Sequence, residues 1–309
     1  ILVGNGCEVV QASLLAEEIR RKTCKPLEVL VIREEGGSLH TVNRIVRFAE
    51  TMRNEADRLN LEEAPVSELI LGTECGCSDP TSGLAANPVV GCCSDLVVRE
   101  GGTVILSETP EMIGAERILA ARCENEGVRR KLLDTIKNFE MDFLRVGENP
   151  RSGNPTPGNI AGGITTLEEK SLGCIHKAGC SMIREVVGYG EIFTQKGLVV
   201  MDTPGQDVAS IVGMAAAGAH AVVFTTGHGT PTGSGILPVI KLTANEETAV
   251  KMKDNMDFDC SAVLTSGKDL EEVGRELFDL ICRVACGEKT RAEELGFQDV
   301  SMVRYCNFA

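Results

Sequence analysis

Short β-branched apolar runs alternate with amphipathic segments along almost the whole chain, and this alternation constrains the fold more than any other feature. The run Ile1–Val3 ends in Gly4 and Gly6, and Val9–Lys22 then carries Val9, Leu14, Leu15 and Ile19 at helical spacing. Leu27–Ile32 is a second run, and His40–Leu59 follows with Val42, Ile45, Val46, Ala49 and Met52 three and four residues apart. Further runs at Leu69–Gly72, Gly102–Ser107, Val199–Asp202, Ala221–Thr225, Val239–Thr243 and Ala262–Thr265 read as strands. Helices are expected over 87–99, 112–125, 127–146, 165–177, 206–217 and 269–286. Such alternation predicts an α/β fold, with parallel or mixed sheets flanked by helices.

Two strands are too few for an independent parallel sheet. Residues 1–64 therefore read as the C-terminal part of a truncated α/β domain, and the start at Ile1 inside an apolar run suggests the same. The acidic, proline-containing stretch 61–68 reads as a linker, and residues 65–309 as a larger C-terminal α/β domain that carries catalysis. Composition narrows the function. The 309 residues are 43% hydrophobic and 25% charged, which suits a globular core. No stretch reaches the roughly 18 apolar residues of a membrane span. A net charge of −14 repels phosphate backbones, so nucleic-acid binding is disfavoured. The 13 cysteines are odd in number and spread through the chain, which points to reduced thiols and a cytoplasmic location.

Four stretches carry chemistry. Residues 72–79, Gly-Thr-Glu-Cys-Gly-Cys-Ser-Asp, follow a strand, at the edge where parallel sheets bind ligands. Cys75, Cys77, Ser78 and the two carboxylates Glu74 and Asp79 there suit metal ligation or proton transfer, with Asn87 close behind; a surface turn with buried thiols is the plainer alternative. Gly4-Asn5-Gly6-Cys7-Glu8 is a second strand-to-helix turn, from which Cys7 and Cys75 could converge on one ion, or Cys7 could simply be buried. Residues 147–163 form the least regular stretch, leading through Asn159 into a helix capped by Thr166. Lys170, in the first turns of that helix, opposes its dipole, as a base or carboxylate binder would; a solvated lysine is the alternative. Last, Thr225-Thr-Gly-His228-Gly-Thr230 follows an apolar strand and resembles an anion cradle formed by Thr226, Gly227, Gly229 and Thr230. His228 is an acid/base or anion-binding residue there, and Lys241 on the next strand a further positive group. His40, His176 and His220 read as structural.

Three strings, in this order, resemble the altronate/galactarate dehydratase family: GTECGCSDPTSGLAANP, PTPGNIAGGITTLEEKSLG and FTTGHGTPTG followed by PVIKLTAN. The resemblance runs from Gly6-Cys7-Glu8 to the end. It implies a hydro-lyase that dehydrates a sugar acid to a 2-keto-3-deoxy acid with a divalent metal, most often Fe2+. By the same comparison the chain holds the tail of a middle domain and a whole C-terminal domain. A missing N-terminal domain or a separate small subunit would be its partner, alongside an anionic sugar acid, with a homo-oligomer left open. Two positions depart from the family pattern: Cys77 stands for a glycine and His228 for an arginine. An arginine would clamp a carboxylate bidentately, whereas a histidine makes single hydrogen bonds, so the resemblance leaves the acid itself open. A related branch resembles the large subunit of sulfolactate sulfo-lyase, which eliminates sulfite; a catalytically incomplete fragment is the remaining alternative. For the dehydratase reading the expected roles are Cys7 and Cys75 near the metal and Lys170, Asp79 and His228 as acid/base groups. Ser78, Asn87, Asn159, Thr226, Gly227, Gly229, Thr230 and Lys241 would bind substrate.

Overall fold

The computed structural model describes residues 1–60, 62–301 and 303. The chain separates into two units, Ile1–Glu63 and Ala64–Ala309. In the first, β1 (Leu2–Gly4) pairs in parallel with β2 (Val29–Val31), and helices span Ala12–Lys22 and Ser38–Ala56. The second helix turns Thr41, Ile45, Phe48 and Met52 inward, while Val42, Val46 and Ala49 stay exposed. A sheet of two short strands covers only a narrow stripe of helix, so half of the expected apolar face finds no cover within this unit.

The second unit holds a seven-stranded, all-parallel sheet. Its strands are β3 (Ile70–Gly76), β4 (Thr103–Leu106), β5 (Ile183–Val187), β6 (Gly197–Met201), β7 (Ala221–Thr226), β8 (Val239–Thr243) and β9 (Phe258–Asp259). Their order is β5-β6-β4-β3-β7-β8-β9. The chain leaves β3 toward β4 on one side and later returns to pair β7 on the other. The crevice at a topological switch point of this kind lies at the carboxyl ends of the strands.

Side chains alternate between the two faces, as the strand period requires. Leu71, Val104, Leu106, Leu198, Val200, Val223 and Leu242 enter one core with the helices Asn87–Arg99, Glu126–Arg145 and Leu270–Ala285. Ile105, Val199, Met201, Val222, Phe224 and Val239 enter the other, against the helix Asp207–Ala216.

The structure differs from the expected elements in several places; the helix expected over 112–125 shortens to Glu116–Ala120. The segment Ala262–Thr265 is a short helix, not a strand: Asp259 Oδ1 accepts the Ser261 N–H at 2.8 Å and turns the chain, and the strand is Phe258–Asp259 just before it. The edge strand β5 carries Arg184 and Glu185 in its middle, so no apolar run announces it. Finally, β3 continues through Gly76, which makes Glu74 and Cys75 strand residues rather than parts of a turn.

Candidate active site

The last residues of β3 point to opposite faces of the sheet. Glu74 projects toward the helix Asp207–Ala216, where its Oε2 lies 2.6 Å from Ser210 Oγ and 3.0 Å from Ser107 Oγ. Its Oε1 is buried without a partner. Burial, and then the charge of Glu108, push the Glu74 carboxyl well above the usual range.

Cys75 projects the other way. Its Sγ lies 3.3 Å from Glu108 Oε1 and 3.7 Å from Cys174 Sγ, and its N–H donates to Glu108 Oε2 at 3.0 Å. Glu108 follows β4 in the left-handed backbone region (φ 68°), a strained conformation for a residue with a Cβ. Its N–H donates to Thr203 Oγ1 at 2.7 Å. The ammonium of Lys177, wholly buried, pairs with Glu108 Oε2. Contact with Cys174, then burial, raise the Cys75 thiol well above its ordinary value. Burial pulls Lys177 down, but Cys174, Cys75 and Glu108 outweigh it and hold the ammonium charged.

The two oxygens of Glu108 thus have separate duties. Oε2 is committed to Lys177 and the Cys75 N–H, and Oε1 faces sulfur. Donor atoms of Cys75, Glu108 and Cys174 all lie within 4.8 Å of one another. Two thiols and one carboxylate fit a thiophilic divalent transition metal far better than magnesium or calcium. Three protein donors leave positions open for other ligands.

Two cavities meet at Lys170, and the smaller borders this cluster. The smaller, about 260 Å³, is lined by Cys75, Ser78, Asn87, Lys170 and Cys174 among others. The larger, about 770 Å³, is lined by Glu111, Asn154, Lys170 and Asp207 among others. Lys170 borders both. Its Nζ donates to Glu111 Oε1 and Asn154 Oδ1, each at 2.8 Å. Burial works against its charge, but Glu111 outweighs burial and raises it. Glu111 Oε2 is buried with no partner, as is Ser78 Oγ.

The remaining residues singled out by sequence are mostly engaged with one another. Asp79 Oδ1 accepts from Thr81 Oγ1 at 2.6 Å and the Ser82 N–H at 3.1 Å, and Oδ2 from Asn245 Nδ2 at 2.8 Å. Asn87 bridges Thr225 Oγ1 (2.7 Å) and the Gly173 carbonyl (3.0 Å). Asn159 completes a capping box with Thr156 and donates to the Ser78 carbonyl at 2.8 Å. The N–H groups of Gly227 and His228 both donate to the Cys77 carbonyl, at 3.1 and 3.0 Å, and that of Gly229 to Thr226 Oγ1 at 2.9 Å. The expected cradle therefore spends these N–H groups internally. A Cβ on Gly227 would lie 2.3 Å from Asp79 Cγ, so only glycine lets the two loops close. Thr230 Oγ1 pairs with Thr232 Oγ1 at 2.8 Å. Lys241 is buried, and its Nζ donates to the Thr232 carbonyl at 3.0 Å, which pins the loop. His228 is exposed and its ring edges against Gly162. His176, read as structural, is exposed and borders the smaller cavity, and His220 Nδ1 accepts the Ile70 N–H at 3.1 Å. Cys7 belongs to the first unit, where it is exposed and its Sγ lies 3.5 Å from Asn5 Nδ2.

Sequence reasoning nominated Glu74 only as one of the two carboxylates of residues 72–79, and did not nominate Glu108, Glu111, Cys174, Lys177 or Asp207. For Glu108 a signal existed: like Cys75, it directly follows a predicted strand.

Two family models match the chain. One, described as D-galactarate/altronate dehydratase, C-terminal, covers residues 66–307. The other, described as D-galactarate dehydratase/altronate hydrolase, second domain, covers residues 1–57. The altronate dehydratase of Escherichia coli K12 is 36% identical over 98% of this chain and 60% of its own length. The galactarate dehydratase (L-threo-forming) of the same organism is 37% identical over 94% of this chain and 56% of its own. The (2R)-sulfolactate sulfo-lyase subunit beta of Chromohalobacter salexigens is 37% identical over 98% of this chain and 81% of its own. The chain thus spans about 60% of the length of the first of these relatives.

Proposed function

Since the chain belongs to the D-galactarate/altronate dehydratase family, we propose that it is a hydro-lyase acting on a sugar acid of the altronate or galactarate type. The product is the 2-keto-3-deoxy acid, formed by β-elimination of water next to a carboxylate. The observation that carries this reading is the placement of Lys170. A partly buried, charged ammonium stands at the wall between two cavities, beside a cluster of two thiols and a carboxylate.

Cys75, Glu108 and Cys174 would hold the divalent metal, with Fe2+ the proposed ion. When bound, such an ion polarises substrate oxygens and offsets the negative charge that builds up as a proton leaves carbon. The chain's own residues supply the rest. Lys170 Nζ, oriented by Glu111 and Asn154, donates a proton to the departing hydroxyl. Ser78 Oγ, buried at the smaller cavity without a protein partner, binds a substrate oxygen. Asp79, Asn87, Asn159, Thr226 and Thr230 hold the loops that shape the site, Gly227 and Gly229 let them close, and Lys241 secures the loop from beneath. His228, exposed beside Gly162, meets the far carboxylate or hydroxyls of the acid. A further domain or separate small subunit is part of the proposal, because the dehydratase relatives are longer than this chain. So is a cytoplasmic location, supported by the absence of any disulfide among the described cysteines.

A second reading rests on the sulfo-lyase subunit, which is 37% identical over 98% of this chain; the same elimination would then release sulfite. The test is anaerobic reconstitution with Fe2+, elemental analysis, and turnover of altronate, galactarate and sulfolactate. The wild type should retain near-stoichiometric iron, and Cys75→Ser should lose both iron and turnover. Unchanged iron and activity in Cys75→Ser would remove the cluster from the reaction.

A further inference from the structure

Asp207 stands at the start of the helix Asp207–Ala216, but the capping role there belongs to Gln206, whose Oε1 accepts the Ala209 N–H at 2.8 Å. The Asp207 carboxylate is therefore free of capping. It makes no hydrogen bond or ion pair with another described residue; its one bond is to its own backbone N–H. It lines the larger cavity together with Glu111, Asn154 and Lys170. Gly76 at the end of β3 makes room for it: a Cβ there would lie 2.7 Å from Asp207 Oδ2. Two carboxylates that line the cavity have no side-chain partner among the described residues, Glu148 and Asp207; Glu148 is exposed to solvent and Asp207 is the more buried, and the cavity's ammonium is fixed by two acceptors.

We propose that Asp207 is the base that takes the proton from the carbon next to the carboxylate, while Lys170 protonates the leaving hydroxyl. The reacting carbons then lie in the larger cavity. This rests on the dehydratase reading above. The electron pair of the C–H bond becomes the C=C bond, and the C–O bond of the neighbouring carbon breaks with its own pair. Asp207 gains a proton, Lys170 loses one, and water departs. The enol tautomerises to the 2-keto acid. Proton exchange with solvent restores both residues, so no oxidant or other reactant is consumed.

The titration of the two groups agrees with these roles. Burial, then Glu108, lift the Asp207 carboxyl to about 6, against the opposing pull of Lys170 and Lys177. Glu74 and Cys77 are the other titratable groups that feel it. A base that titrates just below neutral pH is near the useful optimum, and a lysine raised above its ordinary value enters as an acid.

The Fe2+-loaded chain is assayed with altronate and galactarate across pH, as wild type, Asp207→Asn and Asp207→Glu. The Asn variant should lose roughly 100-fold or more in kcat while KM stays within about threefold, and Glu should restore part of the loss. In the wild type kcat/KM should fall on acidification with a midpoint near 6, as Asp207 is protonated. That limb should vanish from the residual activity of Asp207→Asn. An Asn variant that keeps more than about a third of wild-type kcat, or retains the acid limb, overturns the assignment and leaves the dehydratase reading standing. If the Asn variant fails to fold, the wild-type profile decides, and a flat acid side overturns the assignment. A wild type that holds iron but stays inert toward both acids, alone and with the N-terminal domain of a dehydratase relative added, overturns the dehydratase reading itself.

Discussion

On either side of Gly76, two carboxylates meet opposite fates. Asp79, in the loop after β3, has both oxygens hydrogen-bonded, and its loop is tied to the one after β7 through the Cys77 carbonyl. Glu74, in the last turn of the strand's pleat, keeps one oxygen with no partner, and so does Glu111 across the cluster. The loops form a nearly closed network in which the polar groups satisfy one another, Ser78 Oγ at the smaller cavity excepted. The cluster behind them does not close. Buried groups without partners cost free energy, and a fold keeps them where a ligand or a reaction uses them. The closed network therefore reads as scaffold, and the open one as the place where chemistry occurs.

The largest effect should come from removing the charge that holds the open cluster together. Lys177→Met leaves the Glu108 carboxylate buried without its counter-charge, which should cost about 3–5 kcal/mol. Urea unfolding measures it. The double variant Lys177→Met/Glu108→Gln should recover much of the loss, since removing both charges avoids the penalty. A loss under about 1 kcal/mol for the single variant would place this pair among ordinary surface contacts and dissolve the contrast between the two regions.

A smaller effect, of opposite sign, is expected at Glu74. Its carboxyl in the folded protein sits well above its unfolded value, for burial first and Glu108 second. The folded state therefore keeps a proton that the unfolded state has already released, and stability falls as pH rises above the unfolded value of about 4.5. Glu74→Gln removes that slope. At acid pH the variant should match the wild type or lose slightly, because its amide N–H groups find no acceptor at the Oε1 position. At neutral pH it should be the more stable of the two. Thermal melts of both proteins across pH check the crossing. Parallel curves would mean that Glu74 is ionised in the fold.

Legibility in the sequence follows the same division. The helix over Asn87–Arg99 and the strand Val239–Thr243 are readable to the residue, because apolar spacing and Pro88 mark them locally. The strand β5 is not, because an edge strand tolerates charge in its middle. Within the site, Cys75, Ser78, Asn87 and Lys170 stand in strings rich in glycine, hydroxyl and amide groups, which draw the eye. Glu108, Lys177 and Asp207 carry no such mark, and a charged residue at an element's end usually meets solvent. Their enclosure arises only when β3, β4 and the helices after residue 166 converge: Glu108 meets Cys75 across 33 residues and Lys177 across 69, and Asp207 approaches Gly76 from still farther along the chain. The sequence therefore displays the scaffold more openly than the cluster it encloses.

The smallest effect should fall within the closed network. Thr226 Oγ1 accepts one bond, from the Gly229 N–H at 2.9 Å. Thr226→Val keeps the shape of the side chain and removes only that acceptor, which should cost about 1 kcal/mol in a urea titration. The loop has other ties: Gly227 and His228 donate to Cys77, Thr248 Oγ1 donates to the Gly227 carbonyl at 2.7 Å, and Lys241 holds Thr232. With those in place the loop should keep its course, and KM for the sugar acid should stay within about threefold of wild type. A KM that rises tenfold or more with the fold intact would give Thr226 a direct contact with substrate. The closed network would then be a binding surface in its own right, and the division between scaffold and chemistry would have to be drawn inside the loop rather than behind it.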